Sequence, residues 1–439
     1  MKKLSWLGWL LVSLAIFGYF GYELFYKEQK PNFLPGAVTH GHFQIELACD
    51  TCHTDPFGGG EVLQDACVQC HGEELKASLD SHPRKKFTDP RNADLLKILD
   101  ARYCTSCHME HQNAMISEMG VSLPTDYCYH CHQEIGDDRV SHKDLPYDSC
   151  QSAGCHNYHD NRALYEDFLL KHTHEPDMKP EIFKADKFYQ ENLAKLAKIT
   201  SFEVKSLTQS DANAPAEPEV VDSWVHSSHG KAGVNCQQCH GEGESYMDIP
   251  EPENCKTCHG FEVETFLLGK HGMRLAAGLS PMSPSLSGLS MHREEHKELS
   301  CNSCHSAHEF NTQTAAVDAC LGCHNDEHSN NFKDSKHFQL FAAGDERGVS
   351  CATCHMPREE VNERGLKGFK VNHNQNDTLR PNEKMIRPAC LNCHGLQFSL
   401  NALADDELVK NNFNGLPQVH IESIDWAEKR NNEKRDSIY

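Results

Sequence analysis

The cysteines of this chain never stand alone. All 22 fall into pairs, and in every pair the residue after the second cysteine is histidine. The eleven units are Cys49, Cys52 and His53; Cys67, Cys70 and His71; Cys104, Cys107 and His108; Cys128, Cys131 and His132; Cys150, Cys155 and His156; Cys236, Cys239 and His240; Cys255, Cys258 and His259; Cys301, Cys304 and His305; Cys320, Cys323 and His324; Cys351, Cys354 and His355; and Cys390, Cys393 and His394. Ten have the spacing C-x-x-C-H, and the fifth is the longer C-x4-C-H. Two thiols a short turn apart can add to the two vinyl groups of one haem while the adjacent imidazole reaches the iron from the same side. The pattern therefore predicts eleven covalently bound haems c, with these eleven histidines as proximal iron ligands. Zinc sites would use the pairs two at a time, yet eleven is odd, and zinc gives no reason for a histidine after every pair. A disulfide across so short a gap would close a small strained loop and leave the histidine equally unexplained.

Haems would also supply what the composition lacks. Only 38% of the 439 residues are hydrophobic, four are tryptophan, and the mean hydropathy is −0.62. A chain of this length with so few apolar side chains is short of buried area unless a cofactor fills the interior. Each motif is expected on a short helix, and the Gly-, Pro-, Asn- and Asp-rich segments between motifs on loops that wrap porphyrin. The expected fold class is mainly α with a high coil fraction, a haem-stacked core, almost no sheet and one N-terminal transmembrane helix. A net charge of −22 argues against nucleic acid as a partner, because phosphate recognition needs a basic surface. Haem propionates would deepen that acidity, which can steer docking onto a basic redox partner or simply keep an exported chain soluble.

Haem is attached to such motifs on the far side of the energy-coupling membrane, so the chain must be exported. Lys2 and Lys3 precede an uncharged stretch from Leu4 to Tyr22, 19 residues. As helix it spans about 28 Å, enough to cross a bilayer core. Trp6 and Trp9 lie near one end and Tyr19, Tyr22 and Tyr26 near the other, as interfacial aromatics do, and the lysines hold their end inside. No small-x-small cleavage site follows, so residues 1–26 read as a retained signal anchor rather than a cleaved peptide. The haem-bearing body would then sit on the periplasmic side of the bacterial inner membrane. Motif spacing divides it into a pentahaem module over 27–175, an amphipathic helix and linker over 176–223, a hexahaem module over 224–400 and a tail over 401–439. In the gap Ile182, Ala185, Phe188, Tyr189, Leu193, Leu196 and Ile199 recur at helical spacing, and 211–220 is rich in Ala, Pro and Glu. First-cysteine intervals of 18 (Cys49 to Cys67), 19 (Cys236 to Cys255) and 19 (Cys301 to Cys320) hint at repeated two-haem units.

The second axial ligand of each iron separates an electron carrier from a catalyst. Thirty histidines leave enough outside the motif positions for every iron to take a second imidazole, which favours low-spin, electron-carrying haems. The candidate distal ligands are His40, His42, His82, His111, His142, His159, His172, His174, His226, His229, His271, His292, His296, His308, His328, His337 and His373. His111, His159 and His308 follow a motif histidine by three residues, and His328 by four. A histidine so placed points away from its own haem and can reach a neighbouring one. His130, inside a motif, and His420, in the tail, are set aside, and Met109 and Met356 read as packing residues.

One stretch also carries a family resemblance. From Cys320 the order is Cys323-His324 with His328, then Ser335-Lys336-His337, then Cys351 to Cys354 with His355-Met356-Pro357, an isolated His373 and a last motif at Cys390 to His394. This resembles the C-terminal haem region of the multihaem hydroxylamine oxidoreductases and the pentahaem cytochrome c nitrite reductases. The first module is similar to the small pentahaem electron-transfer cytochromes that serve such reductases. Nitrite reductases of that group replace one motif histidine by lysine, whereas all eleven motifs here end in His. Hydroxylamine-oxidising members cross-link a tyrosine to the catalytic haem, and beyond Tyr246 the only tyrosine here is Tyr439. Their Asp-His pair after the catalytic motif has its nearest equivalent in Glu327 and His328.

Two functions follow. In the first, an anchored electron conduit takes electrons from a quinol-side donor and passes them to a periplasmic or outer-membrane acceptor, with every iron six-coordinate. In the second, a reductase of a small nitrogen or sulfur oxyanion, of the nitrite, hydroxylamine or sulfite type, has its active haem at His324. His328 and His337 are then the candidate catalytic groups, with Lys336 or Arg347 to attract the anion. The histidine supply and the missing catalytic signatures favour the conduit. No phosphate-binding glycine loop, Ser-His-Asp pattern or spare thiol points elsewhere.

Overall fold

The computed structural model describes residues 2–26, 32–34, 36, 38–55, 58–80, 82–112, 120–124, 127–139, 142–143, 158–160, 165–183, 217–241, 243–287, 289–292, 297–306, 308–309, 311–363, 366–379 and 382–436. The fifth motif (Cys150, Cys155 and His156), His296, the helical pattern from Ala185 to Ile199 and most of the linker at 211–220 lie outside the described residues.

A motif folds as one helical turn for local reasons. The backbone N–H of the motif histidine donates to the carbonyl of the first cysteine, at 2.8 Å for His53, His108 and His394, 2.9 Å for His324 and 3.0 Å for His305. That bond stacks thiol and imidazole along one side of the turn. Several turns are started by the residue before the first cysteine. The side chains of Asn235 and Ser350 accept from the backbone N–H groups of Gln238 and Thr353, and Gln238 and Thr353 accept in return from the backbone N–H of their caps. Ser300 and Ser303 form the same reciprocal cap. The second spacer residue of the motif is thus a helix cap as well as a spacer. Two motifs sit on longer helices, Gly60–Ala77 and Pro252–Leu268; the second leaves helical geometry at its motif histidine, His259, with φ −112° and ψ 42°.

Among the described residues the architecture is mainly helical, with loops between short helices and a single hairpin as its sheet, in agreement with the expected class. Strand β1 (Arg358–Glu363) pairs antiparallel with β2 (Leu366–Val371), Arg358 opposite Val371 and Glu363 opposite Leu366. The chain divides into two compact units, Met1–Gly72 with Pro83–Pro124, and Glu73–His82 with Thr125–Tyr439.

In the first unit the helix Lys2–Tyr26 exposes Trp6, Trp9, Leu11 and Phe17, and its segment Ser5–Glu23 is long and apolar enough to cross a membrane. Ahead of residue 165, the buried apolar side chains among the described residues are Ala48, Ala66 and Phe87, too few to hold these loops by burial alone. The second unit has a true apolar cluster: Leu169, Met385, Ile386, Ala389, Leu396, Leu400, Leu403, Ile424 and Ala427. It is closed by the helices Glu166–Lys171 and Ser423–Asp436, which Lys434 and Glu166 join at 3.1 Å. The segment 401–439 therefore ends in a helix that belongs to this core.

Candidate functional site

Among the described residues, nine motif histidines stand opposite a histidine from outside the motifs. In the first unit His71 faces His42, with ring centroids 5.8 Å apart, and His53 faces His111 at 6.4 Å. In the second, His132 faces His82 at 6.0 Å, His240 faces His308 and His259 faces His229 at 5.9 Å each. His305 faces His373 at 6.4 Å, His324 faces His271 at 6.2 Å, His355 faces His328 at 6.1 Å and His394 faces His337 at 6.2 Å. Each pair joins one motif ring to one non-motif ring, and no ring is used twice.

Two imidazoles that bind one metal atom from opposite sides, each about 2 Å from nitrogen to metal, have their centroids about 6 Å apart. Distance alone does not mark such a pair, since His240 and Tyr246 also lie 5.7 Å apart. The selection rule does. Rings in direct stacking contact come closer, as at 4.0 Å between His82 and Tyr158 and 4.7 Å between His394 and Phe398. The residues present therefore fit one iron between the rings of each pair. Among the described residues no group of three His, Cys, Asp or Glu converges as a zinc site requires.

Ligation needs a neutral imidazole. Burial pushes His271, His337 and His355 down to about 4, helped by neighbouring histidines. Burial likewise lowers His229, His305, His308, His324 and His373. The far ring nitrogen has its own acceptor. Nδ1 of His82 bonds the Tyr158 carbonyl at 2.8 Å, that of His240 the Met247 carbonyl at 2.8 Å, and that of His394 the Asp177 carbonyl at 2.7 Å. His111, His328 and His373 bond the carbonyls of Gly36, Val409 and Val371. An Nδ1–H given to a carbonyl fixes the tautomer and leaves Nε2 for a metal. At His42 the acceptor is instead the carboxylate of Glu110, at 2.6 Å. Burial raises the Glu110 carboxyl, but hydrogen bonds from His42 and Thr39 outweigh it and hold the group below its ordinary range.

Partner rings come from segments of other motifs. His111, just after the third motif, faces His53 of the first; His308, just after the eighth, faces His240 of the sixth; His328, after the ninth, faces His355 of the tenth. His111 and His308 both have positive φ, 59° and 68°. That left-handed backbone costs a residue with a side chain roughly 1–2 kcal/mol, and it swings the ring away from its own motif. The hairpin has a similar use, since His373 stands two residues beyond the end of β2 and bonds the carbonyl of the strand's last residue, Val371.

Neighbouring motifs also meet through their thiols. Cys67 lies beside Cys104, Cys255 beside Cys301 and Cys320 beside Cys351, in each case first cysteine beside first cysteine. Cys52 lies within electrostatic range of Cys70, Cys239 of Cys255, Cys304 of Cys320, and Cys354 of Cys393. From Cys236 to Cys393 every motif adjoins the next in chain order. An open groove lined by Lys297, Asn302, Cys304, Asp318 and Cys323 lies between the eighth and ninth.

Other candidates have other surroundings. His172 packs on Phe168 and lies 2.8 Å from Glu175. His174 is exposed beside Glu428, and His226 is exposed with Nδ1 on the Asp222 carbonyl. His159 lies 3.3 Å from Asp80; His40 and His292 are exposed and His142 is half-buried. His108 forms a β-bridge with Val121. Of the residues set aside, His130 is exposed and His420 bonds Asp425 at 2.6 Å. Sequence reasoning missed Glu110, Thr39 and the cap residues. Only Glu110 carries a legible signal, its position between His108 and His111.

Two stretches, 41–133 and 228–325, match the family model of cytochrome c3. Each spans four motifs, Cys49 to His132 and Cys236 to His324. The chain is a multihaem c-type cytochrome, with covalently bound haem c and an electron-transfer role.

The matched stretches repeat one another ligand by ligand. His42 and His229 each stand seven residues before a first cysteine and face the histidine of the following motif, His71 and His259. His111 and His308 face the first histidine of each stretch, His53 and His240. His82 and His271 lie between the second and third motifs and face the fourth histidine, His132 and His324. The repeated unit has four motifs, and the two-haem interval seen in the sequence is half of it.

Proposed function

We propose that the chain is a membrane-anchored undecahaem cytochrome of the periplasm, carrying electrons between a quinol-side donor and a periplasmic or outer-membrane acceptor protein. The observation that carries this reading is the pairing of nine motif histidines with second imidazoles at the spacing of one iron. Haem, when bound, supplies a one-electron iron couple and a planar π system through which electrons pass at close approach. The residues of the chain determine the rest. Each motif histidine and its facing partner would together hold one haem iron, and two imidazole ligands would exclude substrate from the metal. Partner rings borrowed from neighbouring motifs would tie adjacent sites to one another, and the chain-order contacts from Cys236 to Cys393 support an unbroken path through those six motifs.

The apolar helix Lys2–Tyr26 supports the anchor, and the charge of −22 supports docking onto a basic redox partner. The reductase reading draws no such support. His324 faces His271, its two candidate catalytic groups His328 and His337 face His355 and His394, and Arg347 is held by Asp345 at 2.7 Å. In an EPR spectrum of the oxidised protein we expect low-spin signals alone, unmoved by nitrite, hydroxylamine or sulfite, and a denatured mass with eleven haems. A high-spin signal that shifts with one of those anions would overturn the conduit.

A further inference from the structure

We propose that Glu110 sets the haem held by Cys67, Cys70, His71 and His42 at a lower reduction potential than its counterpart in the second repeat, held by Cys255, Cys258, His259 and His229. This rests on His42 and His71 binding one iron, as proposed above.

The arrangement around Glu110 is built for the purpose. Its Oε1 lies 2.6 Å from Nδ1 of His42 and 2.8 Å from the Thr39 hydroxyl, and its Oε2 accepts the Thr39 backbone N–H at 2.5 Å. Three donors from one short segment hold the carboxylate with an oxygen on the imidazole. Thr39 is itself buried against Gly120, whose φ is +70°; a Cβ at that glycine would stand 2.6 Å from Thr39 Cγ2, so only glycine lets Thr39 sit there. The other partner rings with an identified Nδ1 acceptor, His82, His111, His328 and His373, give their proton to a backbone carbonyl.

A carbonyl and a carboxylate act differently on a metal ligand. A carboxylate draws the Nδ1 proton toward itself and leaves the ring with imidazolate character, a stronger donor that favours the oxidised iron. Its negative charge, half-buried and close by, works in the same direction. The two repeats differ at this position. Where the first reads His108-Met109-Glu110-His111, the second reads His305-Ser306-Ala307-His308, and the residue in register with Thr39 is His226. One segment of the first repeat thus supplies a proximal ring (His108), a partner ring for the first motif (His111) and a tuning carboxylate for the second. The consequence is a potential step within the first three motifs, one that drives an electron off the middle site toward its neighbours.

The test is a redox titration of the full-length holoprotein carrying Glu110→Gln, which keeps an acceptor for Thr39 and removes the charge. One haem's share of the absorbance should move to a more positive potential, with about a tenfold change in its ratio of reduced to oxidised form at fixed potential, about 59 mV for a one-electron couple. Haem count by mass and the low-spin EPR signals should be unchanged. Glu110→Ala, which removes the carboxylate altogether, should shift the same haem in the same direction, and it serves if the first variant does not mature. His42→Ala separates the premises, since it should turn one haem high-spin. If it does not, the pairing of His42 with His71 is wrong. If it does, yet Glu110→Gln, or Glu110→Ala in its place, titrates as wild type, the tuning role is overturned.

Discussion

In the second repeat the first motif starts under its own reciprocal cap, Asn235 with Gln238, whereas the equivalent turn in the first repeat starts at Ala48 with no side-chain cap. The third motifs differ in the same way. Ser300 and Ser303 cap the turn at Cys301 locally; the turn at Cys104 follows Tyr103, and its first N–H is met by Gln64 at 2.8 Å, from the helix of the preceding motif. Yet the facing rings are alike, 6.4 and 5.9 Å for His53 with His111 and His240 with His308, 5.8 and 5.9 Å for His42 with His71 and His229 with His259. Imidazole pairing is held constant across the repeats while the means of starting each turn varies. The lesson is that the ring-pair geometry, not the local helix, is what the two repeats share.

The strongest way to break that comparison is to remove matching sites. Replacing both cysteines of the second motif (Cys67→Ser with Cys70→Ser) or of its counterpart (Cys255→Ser with Cys258→Ser) should cost one haem each, read in the denatured mass. Each variant should keep the remaining haems low-spin. Loss of two haems from one repeat and one from the other would mean that the repeats are not equivalent units. Next in size is the axial exchange. His111→Ala and His308→Ala should each convert one haem from low-spin to high-spin while the haem count stays intact, because each ring faces one motif histidine and is attached to another. Both variants also relieve positive φ only in part, since alanine still carries a Cβ. If one variant changed spin state and the other did not, the equivalence of the two repeats would fail at that ligand.

These expectations also mark what could be read before the fold was known. The one-turn motif geometry, the long apolar N-terminal helix and the near absence of sheet follow from residues adjacent in sequence: two thiols and an imidazole within one turn, an uncharged run, loops without strand periodicity. The set of partner histidines was legible too, and nine of its members stand in ring pairs. The matching of partner to motif was not, because His111, His308 and His328 each turn away from the motif beside them and toward one set by the tertiary path. Glu110 was passed over for a different reason, although its place between His108 and His111 is plain in the sequence. In a chain with 64 acidic residues, a glutamate between two histidines reads as solvated surface until Thr39 is seen to hold it. The hairpin Arg358–Val371 escaped as well, its strands mixing charged and apolar residues without alternation; it delivers His373 to His305. The apolar cluster around Leu396 draws on Leu169 and Ile424, which are far apart in sequence, and no periodicity links them.

The smallest effect sharpens the comparison most. If pairing rather than capping defines the unit, Asn235→Ala should lower stability by about 1 kcal/mol, the usual worth of a helix N-cap, seen as a lower guanidinium midpoint. Gln64→Ala should cost a similar amount, about 1 kcal/mol, since it leaves the Cys104 N–H without its acceptor. Neither should alter haem count, spin state or potential, because neither side chain touches an imidazole pair. Asn235→Ala would leave the second repeat starting its first motif as the first repeat already does at Ala48, and that repeat still brings its rings to 6.4 Å, against 5.9 Å in the second. A high-spin signal in Asn235→Ala would reverse the order of causes: the cap would then be what holds His240 against His308, and the first repeat would need some other restraint in its place.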